Sequence, residues 1–191
     1  MKALARQVLS IVLAKYEIYR IYRIDRDTSK SQAGLPELAV ISDVTALCNS
    51  DSPILRRLSQ WGGEGATGFV LADPRGIVGA CWYWHFDRYT RDRNFWPLER
   101  GDAKLVEIGV REDLRGAGYA TQIIRSSAAQ MFGLEWERLF ARIWYNHEAS
   151  LKAFEKAGWR NVALVVTLRP RGLGRTFRFD FTGRLACRRE R

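Results

Sequence analysis

A glycine-rich stretch past the middle of the chain has the residue types and spacing of a phosphate-binding turn. It lies between an apolar run, 105–110, and a helix-like run, 121–132. A turn between a strand and a helix directs several backbone N–H groups at one point, and the helix N-terminus adds partial positive charge there. Glycines also let an anion approach the backbone closely. We therefore expect phosphate binding by Arg115, Gly116, Ala117, Gly118, Tyr119 and Ala120.

Two common phosphate motifs do not explain this turn. The dinucleotide fingerprint needs G-x-G-x-x-G in a first βαβ unit, and the glycines here are spaced differently. The nucleoside-triphosphate loop needs Lys and then Ser or Thr after its glycines, whereas Tyr119 and Ala120 follow Gly118. The pattern is Arg-x-x-Gly-x-Ala after a strand. It resembles the signature of the GNAT superfamily of acetyl-CoA-dependent N-acetyltransferases, whose turn amides hold the pyrophosphate of coenzyme A.

A second segment, 146–159, resembles a later helix of the same family, which runs from an Asn to Lys-x-Gly-Phe. Leu151, Phe154 and Ala157 recur at helical spacing and predict one apolar face, which ordinary core packing would also produce. Gly158 suits the left-handed residue that ends a helix. The two segments place the resemblance over residues 103–166, about a third of the chain.

Length and composition indicate a single domain over residues 1–191. The resemblance implies that it is an N-acetyltransferase domain with an acetyl-CoA-binding core at 103–166. Cys48, Cys81 and Cys187 are too far apart in sequence for a clustered zinc site, and there are only two histidines. We therefore expect no metal, and the resemblance implies acetyl-CoA as cosubstrate. An odd cysteine count without a clear framework favours a reducing compartment, and we expect a cytoplasmic protein.

The net charge of +10 favours anionic partners, although a solvated basic surface explains it equally well. Arginines crowd residues 169–191, yet no nucleic-acid-binding module is recognisable. We expect no strong nucleic-acid binding, and steeply salt-dependent affinity for DNA or RNA would contradict this.

The N-terminus, 1–15, predicts an extra amphipathic helix. Leu4, Val8 and Ile11 share one face of a helical wheel, with Arg6 opposite. The apolar run is too short to span a bilayer. Packing against the protein's own sheet is one interpretation. The other is a peripheral membrane or partner contact through the surrounding basic residues.

Periodicity predicts an α/β (α+β) fold with a mixed central sheet of six or seven strands flanked by helices. We interpret 27–33 and 62–68 as loops, and 87–102 as too irregular for an element. Helices are predicted within 44–61, 119–132 and 147–157. Strands are predicted at 17–25, 69–72, 77–86, 104–110, 139–145, 162–168 and 176–181.

The resemblance also implies where the cofactor binds. Family members separate two parallel strands, and the pantetheine arm of acetyl-CoA lies between them. Here the pair would be 105–110 and 139–145. The resemblance therefore adds, as cofactor-binding residues, Ile108, Gly109, Val110, Asn146 and Phe154.

In the family an amine attacks the thioester carbonyl directly, so the amine must first be neutral. An alkyl amine is only about one part in a thousand neutral at neutral pH, a handicap of about 4 kcal/mol. Glu107 is the first candidate for the base, because it lies on the strand beside the expected cleft. A surface salt bridge is its alternative role. His85 is the second candidate, and packing beside Cys81 and Tyr83 is the alternative for it.

The proton donor to the departing thiolate is harder to assign. Many family members carry Tyr where this chain has Phe154, which has no proton to donate. Tyr145 and Ser150 are nearby alternatives, and Ser150 could instead cap its helix. Asn146 and His147 compete for the position that faces the cofactor.

The resemblance implies an N-acetyltransferase acting on a small-molecule primary amine. The Trp, Tyr and Arg residues within 82–96 favour an amino sugar or a sugar nucleotide as that acceptor. A protein or peptide N-acetyltransferase is one alternative. A non-catalytic CoA-binding or membrane-associated interaction domain is another, and a homo-oligomer is compatible with each.

Overall fold

An eight-stranded mixed sheet organises the chain. The computed structural model describes residues 13–29, 34–172 and 175–182. The strand order is β2-β3-β4-β5-β6-β1-β7-β8. Among the described strands β5 and β6 are the one parallel pair, and the other neighbours are antiparallel. The strands are β1 (Leu13–Asp25), β2 (Ala39–Val40), β3 (Ala66–Asp73), β4 (Gly76–His85), β5 (Asp102–Val110), β6 (Arg138–Trp144), β7 (Arg160–Pro170) and β8 (Phe177–Thr182).

Helices cover both faces of the sheet. Short 3-10 helices also occur at Arg26–Ser29, Ser59–Trp61 and Glu112–Leu114. The α-helices of the described ranges are α1 (Thr45–Cys48), α2 (Pro53–Leu58), α3 (Phe86–Asp92), α4 (Tyr119–Gly133) and α5 (Glu148–Lys156).

The alternation along β4 shows how the core is divided. Cys81 and Tyr83 pack into the cluster that includes α4 and α5, while Trp82 and Trp84 pack with α1, α2 and α3 on the opposite face. All four side chains are buried, so β4 reads as a continuous apolar run rather than an alternating one. The sheet is therefore covered on both sides at its centre.

The feature that shapes the site is a bulge in β5. Trp82 pairs with Glu107 and Tyr83 pairs with Leu105, which leaves Val106 as the extra residue. A bulge bends its strand and ends regular pairing nearby. The parallel pairing of β5 with β6 accordingly stops at Leu105 and Ala141, so the remaining halves of the two strands separate. This is the strand separation that the family resemblance implied for 105–110 and 139–145.

The mixed α+β class is confirmed, with the two-residue strand β2 as an addition to the predicted set. The interpretation of 87–102 as irregular was wrong for residues 87–92, because Phe86–Asp92 forms α3. Tyr89 of this helix is buried. Arg88 forms an ion pair with Asp92 one turn later, with its Nε 3.7 Å from Oδ2. A helix this short has too few residues for a clear periodic pattern.

Two other boundaries differ from the prediction. Leu13 to Lys15 belong to β1 rather than to an N-terminal helix, and the rest of that predicted helix, 1–12, lies outside the described residues. Ala66 to Gly68 begin β3 and are not part of a loop. The arginines after Thr182, and Cys187, lie outside the described residues.

Candidate functional site

A cleft of about 570 Å³ opens where β5 and β6 separate. One wall is the outer half of β5, another is α2, and the turn before α4 closes one end. Residues Ala149 to Lys156 of α5 form the remaining wall. The lining residues that the sequence predicted are Glu107, Ile108, Gly109, Val110, Arg115, Gly116, Gly118, Tyr119, Ala120, Ser150 and Phe154.

The glycine turn has the backbone conformation that an anion site needs. Gly116 and Gly118 have φ of +83° and +87°, which a residue with a side chain rarely adopts. A Cβ built on either glycine would meet nothing within 4 Å, so the space above the turn is open. Gly118 is the N-cap of α4, and the first N–H groups of that helix have no partner within the helix. Open space, free N–H groups and the helix dipole therefore coincide at one end of the cleft.

The charge of the lining suits an anionic ligand. Of the described residues that line the cleft, four are basic and Glu107 is the one carboxylate. The basic side chains are Arg57, Arg115, Lys152 and Lys156. A ligand with several phosphates and an uncharged arm, such as acetyl-CoA, fits this combination of a basic rim and a strand-lined interior.

Gly109 has a packing role that its sequence context did not reveal. A Cβ there would lie 2.5 Å from Cγ2 of Ile54 and 3.1 Å from Cδ1 of Leu58. Its missing side chain therefore lets α2 pack directly on β5. This contact brings Arg57, on the same helix, to the cleft.

Glu107 is a partly buried carboxylate with one cationic neighbour. Its side chain is 28% exposed, and Oε1 lies 4.0 Å from an NH2 atom of Arg57. Burial raises the pKa of Glu107, while Arg57 and the N–H of Ile108 lower it. A carboxylate with a raised pKa accepts a proton more readily than one in water, which suits a general base.

Ser150 and His147 form a polar pair in the α5 wall. Ser150 Oγ lies 2.9 Å from Nδ1 of His147, and both residues line the cleft. Asn146 is exposed and does not line the cleft, whereas His147 does. The hydroxyl and the imidazole both carry exchangeable protons.

Phe154 is buried at the base of the same wall. Its ring packs edge-on against Trp159 at 5.1 Å and lies 6.1 Å from the ring of Tyr22. The Tyr22 hydroxyl donates to Oε1 of Glu155 at 2.9 Å, and burial raises the pKa of Tyr22 to about 12. Tyr22 is therefore a poor substitute for the tyrosine that Phe154 replaces.

Three further candidates lie outside the lining of the cleft. Nε2 of His85 and Oγ1 of Thr67 share a hydrogen bond of 2.8 Å. The ring of His85 packs 4.6 Å from that of Trp136. Burial and then Arg88 lower the pKa of His85. Tyr145 is half-buried, and its N–H donates to the carbonyl of Ile18 at 3.1 Å. Ala117 is exposed at the tip of the glycine turn.

The sequence predicted Arg115 but not the other three basic residues around the cleft, Arg57, Lys152 and Lys156. Lys152 and Lys156 are four apart on α5, so their spacing alone places them on one helix face. This four-residue spacing was visible in the sequence and could have predicted the pair. Arg57 had no comparable signal, because its position depends on the contact of α2 with Gly109.

Two properties of the described ranges bear on other site types. They contain no group of three or more His, Cys, Asp or Glu side chains that could hold a metal ion. Separately, none of the helices in these ranges has the length and apolar character needed to cross a bilayer.

Comparison with known proteins shows which family the chain matches. Residues 36–160 match the family model described as an acetyltransferase (GNAT) domain. Strands β2 to β6, the glycine turn and α5 lie within this match. Comparison with curated protein sequences finds no match.

Solved structures share the fold at low sequence identity. A GNAT-family acetyltransferase from Colwellia psychrerythraea has a TM-score of 0.57 at 16% identity, covering 94% of this chain and 62% of its own. A protein from Staphylococcus epidermidis, described as functionally unknown, has a TM-score of 0.55 at 10% identity, covering 86% of this chain and 65% of its own.

A GCN5-related N-acetyltransferase from Sphaerobacter thermophilus has a TM-score of 0.51 at 14% identity, covering 96% of this chain and 57% of its own. The chain thus spans less than two thirds of the length of each of these three structures. The family match covers well over half of the 191 residues. On that match, and with the fold that these structures share, this chain belongs to the GNAT acetyltransferase family.

Proposed function

We propose that the chain transfers an acetyl group from acetyl-CoA to the primary amine of a small molecule. The observation that carries the proposal is one cleft that has the glycine turn at one end and the partly buried carboxylate of Glu107 on its strand wall. The turn supplies N–H donors for phosphate, and the carboxylate supplies a base. Family membership supports both roles.

The cofactor contacts follow from the lining of the cleft. The N–H groups around Gly116 and Gly118 would hold the pyrophosphate, with Arg115 adding positive charge. The exposed edge of β5 from Ile108 to Val110 has lost its partner strand and can hydrogen-bond the pantetheine arm. When bound, acetyl-CoA supplies an activated acetyl thioester.

Glu107 prepares the acceptor. An ammonium group cannot attack a carbonyl, so the amine must first lose a proton, directly or through water, to the carboxylate. The amine nitrogen then bonds to the acetyl carbon and the bond from that carbon to sulfur breaks. The nitrogen loses its surplus proton to water, and the thiolate takes up a proton. The products are an amide and the free thiol.

The proton for the thiolate comes from the α5 wall in this proposal. Ser150 and His147 line the cleft as a hydrogen-bonded pair, so a proton that leaves the hydroxyl can be replaced from the imidazole. Tyr145 is the alternative donor, and it needs to approach the cleft from its position outside the lining.

A thiol-release assay tests the proposal. Acetyl-CoA is mixed with a panel of primary amines that includes amino sugars and their nucleotide conjugates, and free CoA is measured over time. Steady release with a small amine supports the proposal. A panel of peptides with a free N-terminus or a lysine tests the alternative of a protein or peptide acceptor.

A non-catalytic CoA-binding or membrane-associated domain is the rival from another class. Calorimetric binding of CoA without turnover across both panels would establish that rival and overturn the proposal. Vesicle co-sedimentation of the full chain tests a peripheral contact through residues 1–15. We keep a cytoplasmic location within the proposal, because a reducing compartment suits the free thiols of Cys48 and Cys81.

A further inference from the structure

A cluster of arginines and aromatic rings lies on the same sheet face as Glu107. The guanidinium carbon of Arg142 is 4.5 Å from the ring centre of Tyr19 and 4.3 Å from that of Phe95. Arg178 approaches the same Phe95 ring, at 4.7 Å. Trp144 packs 4.1 Å from Tyr19 at the edge of this cluster. Stacking holds the flat faces of the guanidinium groups and leaves the N–H edge of Arg142 free to bind another group.

Strand register places this cluster beside the cleft. The last parallel pair is Leu105 with Ala141, and Arg142 follows immediately on β6. Phe140 pairs with Lys104, and Lys104 pairs with Trp84, so these side chains share one face.

Arg142 is two residues after Phe140 and therefore points to that same face. Glu107 pairs with Trp82 of β4, which also points there. The carboxylate and the guanidinium thus flank the strand separation from its two sides.

The cluster has more positive than negative charge. Within the described ranges Arg142 makes no hydrogen bond or ion pair with a carboxylate, whereas Arg178 is paired with Asp180 at 2.8 Å. Lys104 lies beneath the cluster and is 3% exposed. Its Nζ has no hydrogen-bond partner among the described residues. Asp102, on the same face of β5, is already bound by Arg138 at 2.7 Å.

Lys104 and Arg142 lie close enough to influence each other. Burial and then the charge of Arg142 lower the pKa of Lys104 well below its usual range. The Lys104 amine lies 5.7 Å from the ring centre of Tyr89, but it has no hydrogen-bond partner among the described residues, so its burial is costly, as is a second cation beside it. An anion bound by Arg142 would offset the positive charge beside Lys104 and lessen this repulsion.

We propose that Arg142, supported by Arg178 and Lys104, binds an anionic group of the acceptor, so that the enzyme selects amines that also carry a carboxylate or a phosphate. The inference rests on the proposed function and specifies its substrate class. The amine is directed to Glu107 on β5 and the anion to Arg142 on β6. A substrate with a positive and a negative end then spans the separated strands in one orientation.

The experiment compares amines that differ by one charged group. Glucosamine and glucosamine 6-phosphate form the phosphate pair, and propylamine and β-alanine form the carboxylate pair. Acetyl transfer is measured as CoA release with the full-length chain. We expect kcat/KM at least tenfold higher for the anionic member of one pair, and the pair that shows it identifies the anion.

Arg142→Gln is the first variant. It should raise KM for the preferred anionic amine about tenfold, which corresponds to about 1.4 kcal/mol of binding free energy. The amine of the same pair that lacks the anionic group should be acetylated as before. Arg75→Gln is the matched control. It removes the same charge from an exposed side chain in the turn between β3 and β4, which pairs with Asp73, and its kinetics should equal those of the unchanged protein.

Lys104→Met is the second variant and separates binding from folding. If Lys104 is only an uncompensated buried amine, the change raises thermal stability and leaves KM unchanged. The proposal expects KM for the anionic amine to rise as stability rises. Equal kcat/KM within both pairs, or an Arg142→Gln variant that retains the preference, would overturn the inference. Absence of transfer to every amine would instead refute the proposed function.

Discussion

Glu107 and Arg57 approach each other within the cleft, with Oε1 of the carboxylate 4.0 Å from NH2 of the guanidinium. Burial raises the pKa of Glu107, and Arg57 counteracts that rise. Burial and the charge of Arg57 thus act in opposite directions on the pKa of this carboxylate, and each influence can be changed by one substitution.

Glu107→Gln should lower turnover at neutral pH by about a hundredfold, within the usual range for the loss of a general base. The loss should shrink at high pH, because the free amine then deprotonates without help. Profiles of kcat/KM between pH 6 and pH 10 for both proteins test this. A loss of the same size across that range would exclude Glu107 as the base.

Arg57→Gln should move the acidic limb of the pH profile to higher pH. The base acts in its ionised form, so activity is lost as the pH falls through the pKa of Glu107. Removing the cation that lowers this pKa shifts the limb upward. The same profile recorded in the Glu107→Gln background is the control, since the shift should disappear there. A limb that stays in place would show that another group titrates.

Gly118→Val should weaken binding of CoA by about tenfold or more, or about 1.4 kcal/mol. Gly118 has φ +87° with open space at its Cβ position, so a side chain occupies the place where phosphate would bind. Gly76→Val is the matched control. Gly76 has φ +113° and equally open space but lies in the turn before β4.

Both glycine variants should lose about 1–3 kcal/mol of stability through backbone strain. Only the Gly118 variant should lose affinity for CoA in isothermal titration. Affinity that is unchanged in Gly118→Val would mean that the turn does not bind the phosphates.

Ser150→Ala should lower kcat several-fold and leave the affinity for CoA intact, because the hydroxyl lines the cleft and bonds to His147. Tyr145→Phe removes the competing hydroxyl outside the lining. Single-turnover rates with both variants decide between them. A slow Tyr145→Phe enzyme beside a normal Ser150→Ala enzyme would transfer the acid role to Tyr145.

Local features were the most predictable from sequence. The glycine turn and α5 each lie in one continuous segment. Residue spacing, together with the glycines that form the turn and end the helix, was therefore enough to predict them. α3 escaped prediction because seven residues give less than two full periods of a helical pattern. Tyr145 was singled out by proximity in sequence and Asn146 by the family resemblance, and neither residue lines the cleft.

Sequence alone determined the mixed sheet, the glycine turn and the family resemblance, since these depend on short-range pattern. The tertiary structure decided the rest. The bulge at Val106 ends the β5–β6 pairing, and Gly109 admits α2 and with it Arg57. Tyr19, Phe95, Arg142 and Arg178 meet although they lie on four separate segments. The physical reason is that strand pairing and packing join residues far apart in the chain, and such contacts leave no periodic trace within any one segment.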